Sequence, residues 1–186
     1  MIRTKSLPAY FSQTVWRQLA VAVVFAAITA LTARITFYLP FTPVPITLQT
    51  LAVVLSGLVL GSRGGALAQM TYLGLIATGL PVDANGLGIA AFFGPTAGYL
   101  VAFVPAAFAT GWLAERFSAR SWWGNFAAAL TGVVVLYVVG ASWLAVVLGS
   151  WQNAWLAGVV PFILLDVVKA AIAAATAESG KFFFRR

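Results

Sequence analysis

The sequence predicts an all-α integral membrane protein of six transmembrane helices, with the N and C termini both cytoplasmic. Three observations carry that reading. Of 186 residues, 62% are hydrophobic and only 8% are charged, against about 25% charged in an ordinary soluble domain. The apolar residues come in long runs separated by short polar or Pro/Gly-rich breaks. A water-soluble fold could not bury that much apolar surface, so the main solvent must be lipid. The basic residues, finally, gather in alternate breaks and are nearly absent from the others, as the positive-inside rule requires.

The elements follow in order as a single membrane domain over residues 1–186. The first span covers about 15–38. It starts after polar Ser12-Gln13-Thr14, with Arg17 placed to snorkel to the interface. Ala22, Ala26 and Ala30 recur every fourth residue along it. Small residues at that spacing let another helix approach closely. Pro40, Pro43 and Pro45 then forbid helix and give an ordered, extended loop. The second span covers about 48–60 and the third about 66–80, with the tight turn Gly61-Ser62-Arg63-Gly64-Gly65 between them. Both fall short of the ~20 residues of a full crossing, so they borrow flanking residues or are partly re-entrant.

Residues 81–96 are the most loop-like stretch. Gly86, Gly88, Gly94, Asp83 and Asn85 favour turns and are interleaved with Phe92 and Phe93. The fourth span covers about 97–113, and Pro105 should kink it. Polar Glu115 to Arg120 break the chain. The fifth span, about 123–148, is long enough to cross alone, with Trp122, Trp123 and Trp151 at interfacial positions. The sixth covers about 155–177, before the tail Lys181-Phe182-Phe183-Phe184-Arg185-Arg186.

Arg3, Lys5, Arg63, Arg116, Arg120, Lys181, Arg185 and Arg186 lie at the N terminus, the second and fourth connections and the C terminus. With six spans all four places face the cytoplasm, and the Pro-rich and Gly-Asn loops share the outer face. A five-span count would scatter the positive breaks onto both sides. No small-residue cleavage site follows the first apolar run, so no removable signal peptide is expected.

Composition also excludes functions. The chain has no Cys and no His, and Asp plus Glu number 4. Disulfides, thiol nucleophiles, ordinary zinc sites and multi-carboxylate metal centres are therefore not expected, and no cofactor is. The net charge of +7 is spread between apolar runs rather than gathered in a patch, so no nucleic-acid partner is expected. The Gly61 to Gly65 turn lacks the lysine and spacing of a phosphate-cradling loop. Any ATP hydrolysis must come from a partner.

One pair stands out. Asp166 and Lys169 lie three residues apart in the apolar sixth run, hence on one helix face. An ionised group in lipid is costly, so such residues usually face a cavity. The alternative is a structural ion pair between helices. The sixth helix descends from the outer face, and Asp166, about 11 residues past Trp155, lies ~15 Å along it, beneath the two outer loops. A pocket needs an apolar lining and a few convergent polar groups, and this region can supply both. Read alone, Asp83 could be a solvated loop carboxylate, Asn85 a turn residue, and Thr47 and Gln49 caps of the second helix.

The motifs Pro40-Phe41-Thr42-Pro43-Val44-Pro45-Ile46-Thr47-Leu48-Gln49-Thr50-Leu51, Gly79-Leu80-Pro81-Val82, Gly94-Pro95-Thr96-Ala97-Gly98-Tyr99-Leu100 and Asp166-Val167-Val168-Lys169-Ala170 resemble the BioY family. Members are biotin-binding substrate-capture (S) components of energy-coupling factor (ECF) transporters. The resemblance covers about residues 10–178. It departs at Asp83-Ala84-Asn85-Gly86, where the family often has an aromatic residue and more glycines.

The resemblance implies an ECF S-component-like bundle in the bacterial cytoplasmic membrane that captures biotin in an outward-facing pocket. The loops after helices one and three would close it. The component would topple in the membrane when docked on a transmembrane coupling protein with two ATP-binding-cassette ATPases. Ala22, Ala26 and Ala30 match the small-residue docking motif of such components. Asp166 would accept a ureido N–H. Lys169 would meet a carboxylate or ureido oxygen by a charge-assisted bond. Asn85, Gln49, Thr47 and Asp83 would supply further polar contacts, and Phe41, Phe93 and Tyr99 would pack on the bicycle. Competing readings are an S component for another vitamin, a structural membrane subunit, and a lipid-directed enzyme. The last has only Asp166, Lys169 or Asp83 to serve as nucleophile or base, so no enzyme is expected. Action alone, as a homo-oligomer, or only with partners stays open.

Overall fold

The computed structural model describes residues 9–116 and 121–183. Arg3, Lys5, Arg120, Arg185 and Arg186, which helped orient the spans, lie outside the described residues, as does the side chain of Lys181. The described chain is mostly helical. Its elements are α1 (Ala9–Ala33), β1 (Thr36–Phe37), β2 (Ile46–Thr47), α2 (Gln49–Ala77), a 3₁₀ helix (Gly88–Phe93), α3 (Ala97–Arg116), α4 (Trp122–Leu148), α5 (Trp151–Gly158) and α6 (Ile163–Phe183). By length and composition α2, α3 and α4 can each cross a membrane, and α5 with α6 make a fourth candidate, bent by 51° at their junction.

The element α2 is not one rod. At Gly61 the backbone leaves the helix with φ 76° and ψ −177°. Gln69 Nε2 donates to Ser56 Oγ at 3.0 Å, and Gln49 Nε2 donates to the Tyr72 hydroxyl at 2.7 Å. In a straight helix these pairs would lie roughly 20 Å and 35 Å apart. Residues 49–60 and 62–77 are therefore antiparallel halves of a hairpin that turns at Gly61. Two features of the turn demand glycine: the positive φ, and the Glu115 carboxylate that any Cβ at Gly61 would strike. That carboxylate accepts from the Ser62 N–H (2.8 Å) and hydroxyl (2.9 Å). It caps the second half where a negative charge is favoured. The halves touch closely at the turn, since a Cβ on Gly65 would lie 2.8 Å from Gly57 Cα.

Helices α1 and α3 both pack on this hairpin; α4 packs on α3, and α6 against α2 and α4. Ser121 caps α4 by accepting the Gly124 N–H (3.2 Å), and Gly149 ends it at φ 64°. Large apolar side chains such as Val24, Leu31, Val134, Val138, Val146 and Leu164 cover the outside of the bundle, as a lipid solvent requires.

The helices differ from expectation at several places. The first stops at Ala33 rather than near 38, because Thr36 and Phe37 pair antiparallel with Thr47 and Ile46. The third ends at Ala77, where Thr78 and Gly79 turn the chain. The sixth run is broken between Gly158 and Ile163. Pro161 has no N–H to continue the ladder, and side chains take the freed carbonyls. Thr42 Oγ1 donates to the Ala157 oxygen at 2.6 Å and the Tyr99 hydroxyl to the Gly158 oxygen at 2.7 Å.

Candidate functional site

At the end of the bundle opposite the Gly61 turn, the loops after α1 and α2, the start of α3, the middle of α4 and the α5–α6 break surround a cavity. It holds about 650 Å³ of empty space, its open mouth included. Its lining combines apolar side chains with a few convergent polar groups, as ligand pockets do.

The polar wall is built from the middle of the bundle. Lys169 Nζ donates to Asp166 Oδ1 at 2.7 Å, and the Tyr137 hydroxyl donates to Asp166 Oδ2 at 2.7 Å. Asp166 and Lys169 are 4% and 6% exposed, and both line the cavity. The contact between the opposite charges, with the added Tyr137 bond, offsets part of the cost of desolvating both in an apolar helix. Lys169 has three N–H donors and spends one on Asp166, so its ammonium can still donate into the cavity.

Gln49 and Thr47 also line the cavity. The Gln49 N–H donates to Thr47 Oγ1 at 3.2 Å, so Thr47 serves as a local cap as well as a wall residue. Gln49 passes its amide N–H to Tyr72, whose hydroxyl donates to the Val82 carbonyl at 3.2 Å. Tyr99 lies along the wall with its hydroxyl on Gly158, and a Cβ on Gly140 or Gly158 would collide with it. Asp83 and Asn85 complete the wall from the loop after α2. Asp83 is buried and accepts the Asn85 N–H (3.0 Å) and the Gly88 N–H (2.8 Å). The Tyr38 hydroxyl reaches over from beyond α1 to the Ala84 carbonyl (3.2 Å) and Asn85 Oδ1 (3.3 Å).

Seven of the residues expected in a ligand site are thus brought together: Asp166, Lys169, Asn85, Tyr99, Gln49, Thr47 and Asp83. Two are not. Phe41 is 64% and Phe93 81% exposed, and neither lines the cavity. Phe41 sits in the Pro-rich loop with its ring turned out. Phe93 ends the 3₁₀ helix facing away, while its neighbour Phe92 packs on the core. The apolar wall comes instead from Phe103, Leu136, Tyr137 and Phe162, which the sequence reading missed. The signal for Phe162 is its place beside Pro161, at the break that opens the sixth run. Nothing comparable marks Phe103 or Leu136.

The alanine stripe faces the chain's own helices. Ala22 is 1% and Ala26 0% exposed, buried against the second half of α2, where Ala68 and Tyr72 sit; Ala30 packs on the same core. Close approach by a helix is what the spacing offers, and the chain's own hairpin takes it.

A helical membrane bundle with a cavity at one end, lined by apolar side chains and walled by an ion pair, has the architecture of a small-molecule binding component. The sequence pattern described as the BioY family matches residues 4–186, and the chain belongs to that family. It is 43% identical over 167 residues to the biotin transporter BioY of Rhizobium etli, covering 85% of this chain and 89% of that one. Against the biotin transporter BioY of Thermotoga maritima the identity is 40% over 159 residues, covering 85% and 92%. Its fold is similar to the crystal structure of the S-component for biotin from an ECF-type ABC transporter. The TM-score is 0.83 at 26% identity, over 91% of this chain and 93% of that one.

Proposed function

We propose that this protein captures biotin from outside the cytoplasmic membrane and delivers it as the substrate-binding component of an ECF-type transporter. The observation that carries the reading is the Tyr137–Asp166–Lys169 cluster on the wall of the cavity. Biotin brings matching groups: a ureido ring with N–H donors and a strong acceptor oxygen, an apolar thioether ring and a carboxylate. Asp166, Lys169, Asn85, Gln49 and Thr47 offer donors and acceptors, and Tyr99, Phe103 and Phe162 an apolar wall. The relatives named as biotin transporters and the similar biotin S-component support the assignment.

The chain is a carrier rather than a catalyst, so the energy for uptake comes from partners: a transmembrane coupling protein and two ATP-binding-cassette ATPases. The single membrane domain crosses the bilayer six times, counting α1, the two halves of α2, α3, α4, and α5 with α6 as one bent crossing. Both termini then face the cytoplasm, with Arg63 and Arg116 on that side and the cavity mouth outside. The reversal at Gly61 supports the count, and the clustering of basic residues supports the orientation.

Two measurements test this. Biotin should raise the melting temperature of the purified protein, while thiamin and riboflavin should not; no shift with biotin, or a larger one with another vitamin, overturns the ligand. The chain has no native cysteine, so single-cysteine variants report topology cleanly. Phe41→Cys should react with an impermeant thiol reagent from outside and Arg63→Cys only from inside. The reverse pattern overturns the orientation.

A further inference from the structure

Resting on the biotin reading, we infer that Asp83 is a positioning residue: it sets Asn85 at the cavity wall through the loop backbone and makes no direct bond to the ligand. The loop from Gly79 to Gly88 is braced from both sides. Outside, other elements hold its carbonyls: Arg34 takes Pro81, the Tyr72 hydroxyl takes Val82 and the Tyr38 hydroxyl takes Ala84. Inside, the brace is Asp83. One oxygen accepts the Asn85 N–H at 3.0 Å and the other the Gly88 N–H at 2.8 Å.

The loop needs such a brace. Gly79, Gly86 and Gly88 all have positive φ, at 90°, 68° and 58°, and glycine backbone is the most free to wander. Gly88 also folds back so closely that a Cβ there would come within 2.7 Å of the Gly79 carbonyl oxygen.

The chemistry excludes a casual role. A buried carboxylate is costly unless it is hydrogen-bonded, and Asp83 is 1% exposed. Among the described residues the ion pair is Lys169 with Asp166, so Asp83 is not held by a salt bridge. Its stabilisation is two charge-assisted bonds to backbone N–H groups, one of them on Asn85 itself. Each Asp83 oxygen takes a loop N–H and the residue is 1% exposed, whereas Asn85, on the same cavity wall, is only partly buried.

The test is a double-mutant cycle on biotin affinity with hydrogen exchange beside it. Asp83→Ala should weaken biotin binding about tenfold. Asp83→Asn keeps one acceptor oxygen and should lose only about threefold. Asn85→Ala should match Asp83→Ala, and the double variant Asp83→Ala/Asn85→Ala should stay within about twofold of Asn85→Ala alone. Losses that multiply mean that Asp83 meets the ligand itself and overturn the inference, as does unchanged affinity in Asp83→Ala. In the ligand-free protein, amide exchange over residues 83–88 should quicken in Asp83→Ala while the helices keep their protection. This readout needs no biotin, so it separates failure of the inference from failure of the ligand assignment. Unchanged exchange in the loop, or protection lost throughout the bundle, overturns the positioning role.

Discussion

Thr29, Ser56 and Gln69 form one buried polar cluster in the bundle; Tyr137, Asp166 and Lys169 form another. In the first, Gln69 Nε2 donates to Ser56 Oγ (3.0 Å) and Thr29 Oγ1 (3.3 Å), and both hydroxyls donate onward to carbonyls of their own helices. All three residues are 0% exposed and none lines the cavity beside Asp166 and Lys169. In the second, Asp166 is held by two donors, yet the cluster opens on a cavity and its lysine has donors to spare. The first cluster is closed and ties α1 to both halves of the α2 hairpin. The second is left open, and what it lacks a ligand can supply. A buried polar group in a membrane bundle therefore speaks for function by the hydrogen-bonding capacity it has left, not by its cost alone.

The sharpest way to break this contrast is to remove one group from each cluster. Lys169→Ala leaves the Asp166 charge buried without its partner, and biotin affinity should fall by roughly 30-fold or more. Titration of the purified variant checks it, and a loss under about threefold would dissolve the contrast. Tyr137→Phe keeps the ring and deletes one bond to Asp166, so affinity should drop about five- to tenfold. Gln69→Leu should do the opposite. It should lower the melting temperature by a few degrees, since a hydrogen bond between membrane helices contributes about 0.6 kcal/mol on average, and leave biotin affinity within about twofold. The smallest effect belongs to Phe93→Ala, whose ring faces away from the cavity; a loss beyond about twofold would place that ring on the ligand after all.

The same contrast explains what could be read from the sequence. Asp166 and Lys169 were legible because charge is scarce in lipid-facing runs and their spacing shares a helix face. The reversal at Gly61 was legible because five small or polar residues interrupt an apolar stretch. Tyr137 was not: a tyrosine among valines fits any membrane helix, and only the packing of α4 on α6 brings its hydroxyl to Asp166. Phe41 and Phe93 were misplaced because a loop's sequence does not say which way its rings turn. The alanine stripe announced a close neighbour without saying whose. Pro161 does mark the α5–α6 break, but the strong hydropathy on both sides masked it, and with it the reason why Gly158 and Phe162 reach the cavity.

The central claim is that the open cluster binds biotin and the closed one does not. Calorimetric titration of biotin into wild type, Gln69→Leu and Lys169→Ala, side by side, tests it most directly. Wild type and Gln69→Leu should give the same tight isotherm and Lys169→Ala a much weaker one. Equal affinities for all three, or no heat of binding in wild type, would contradict it.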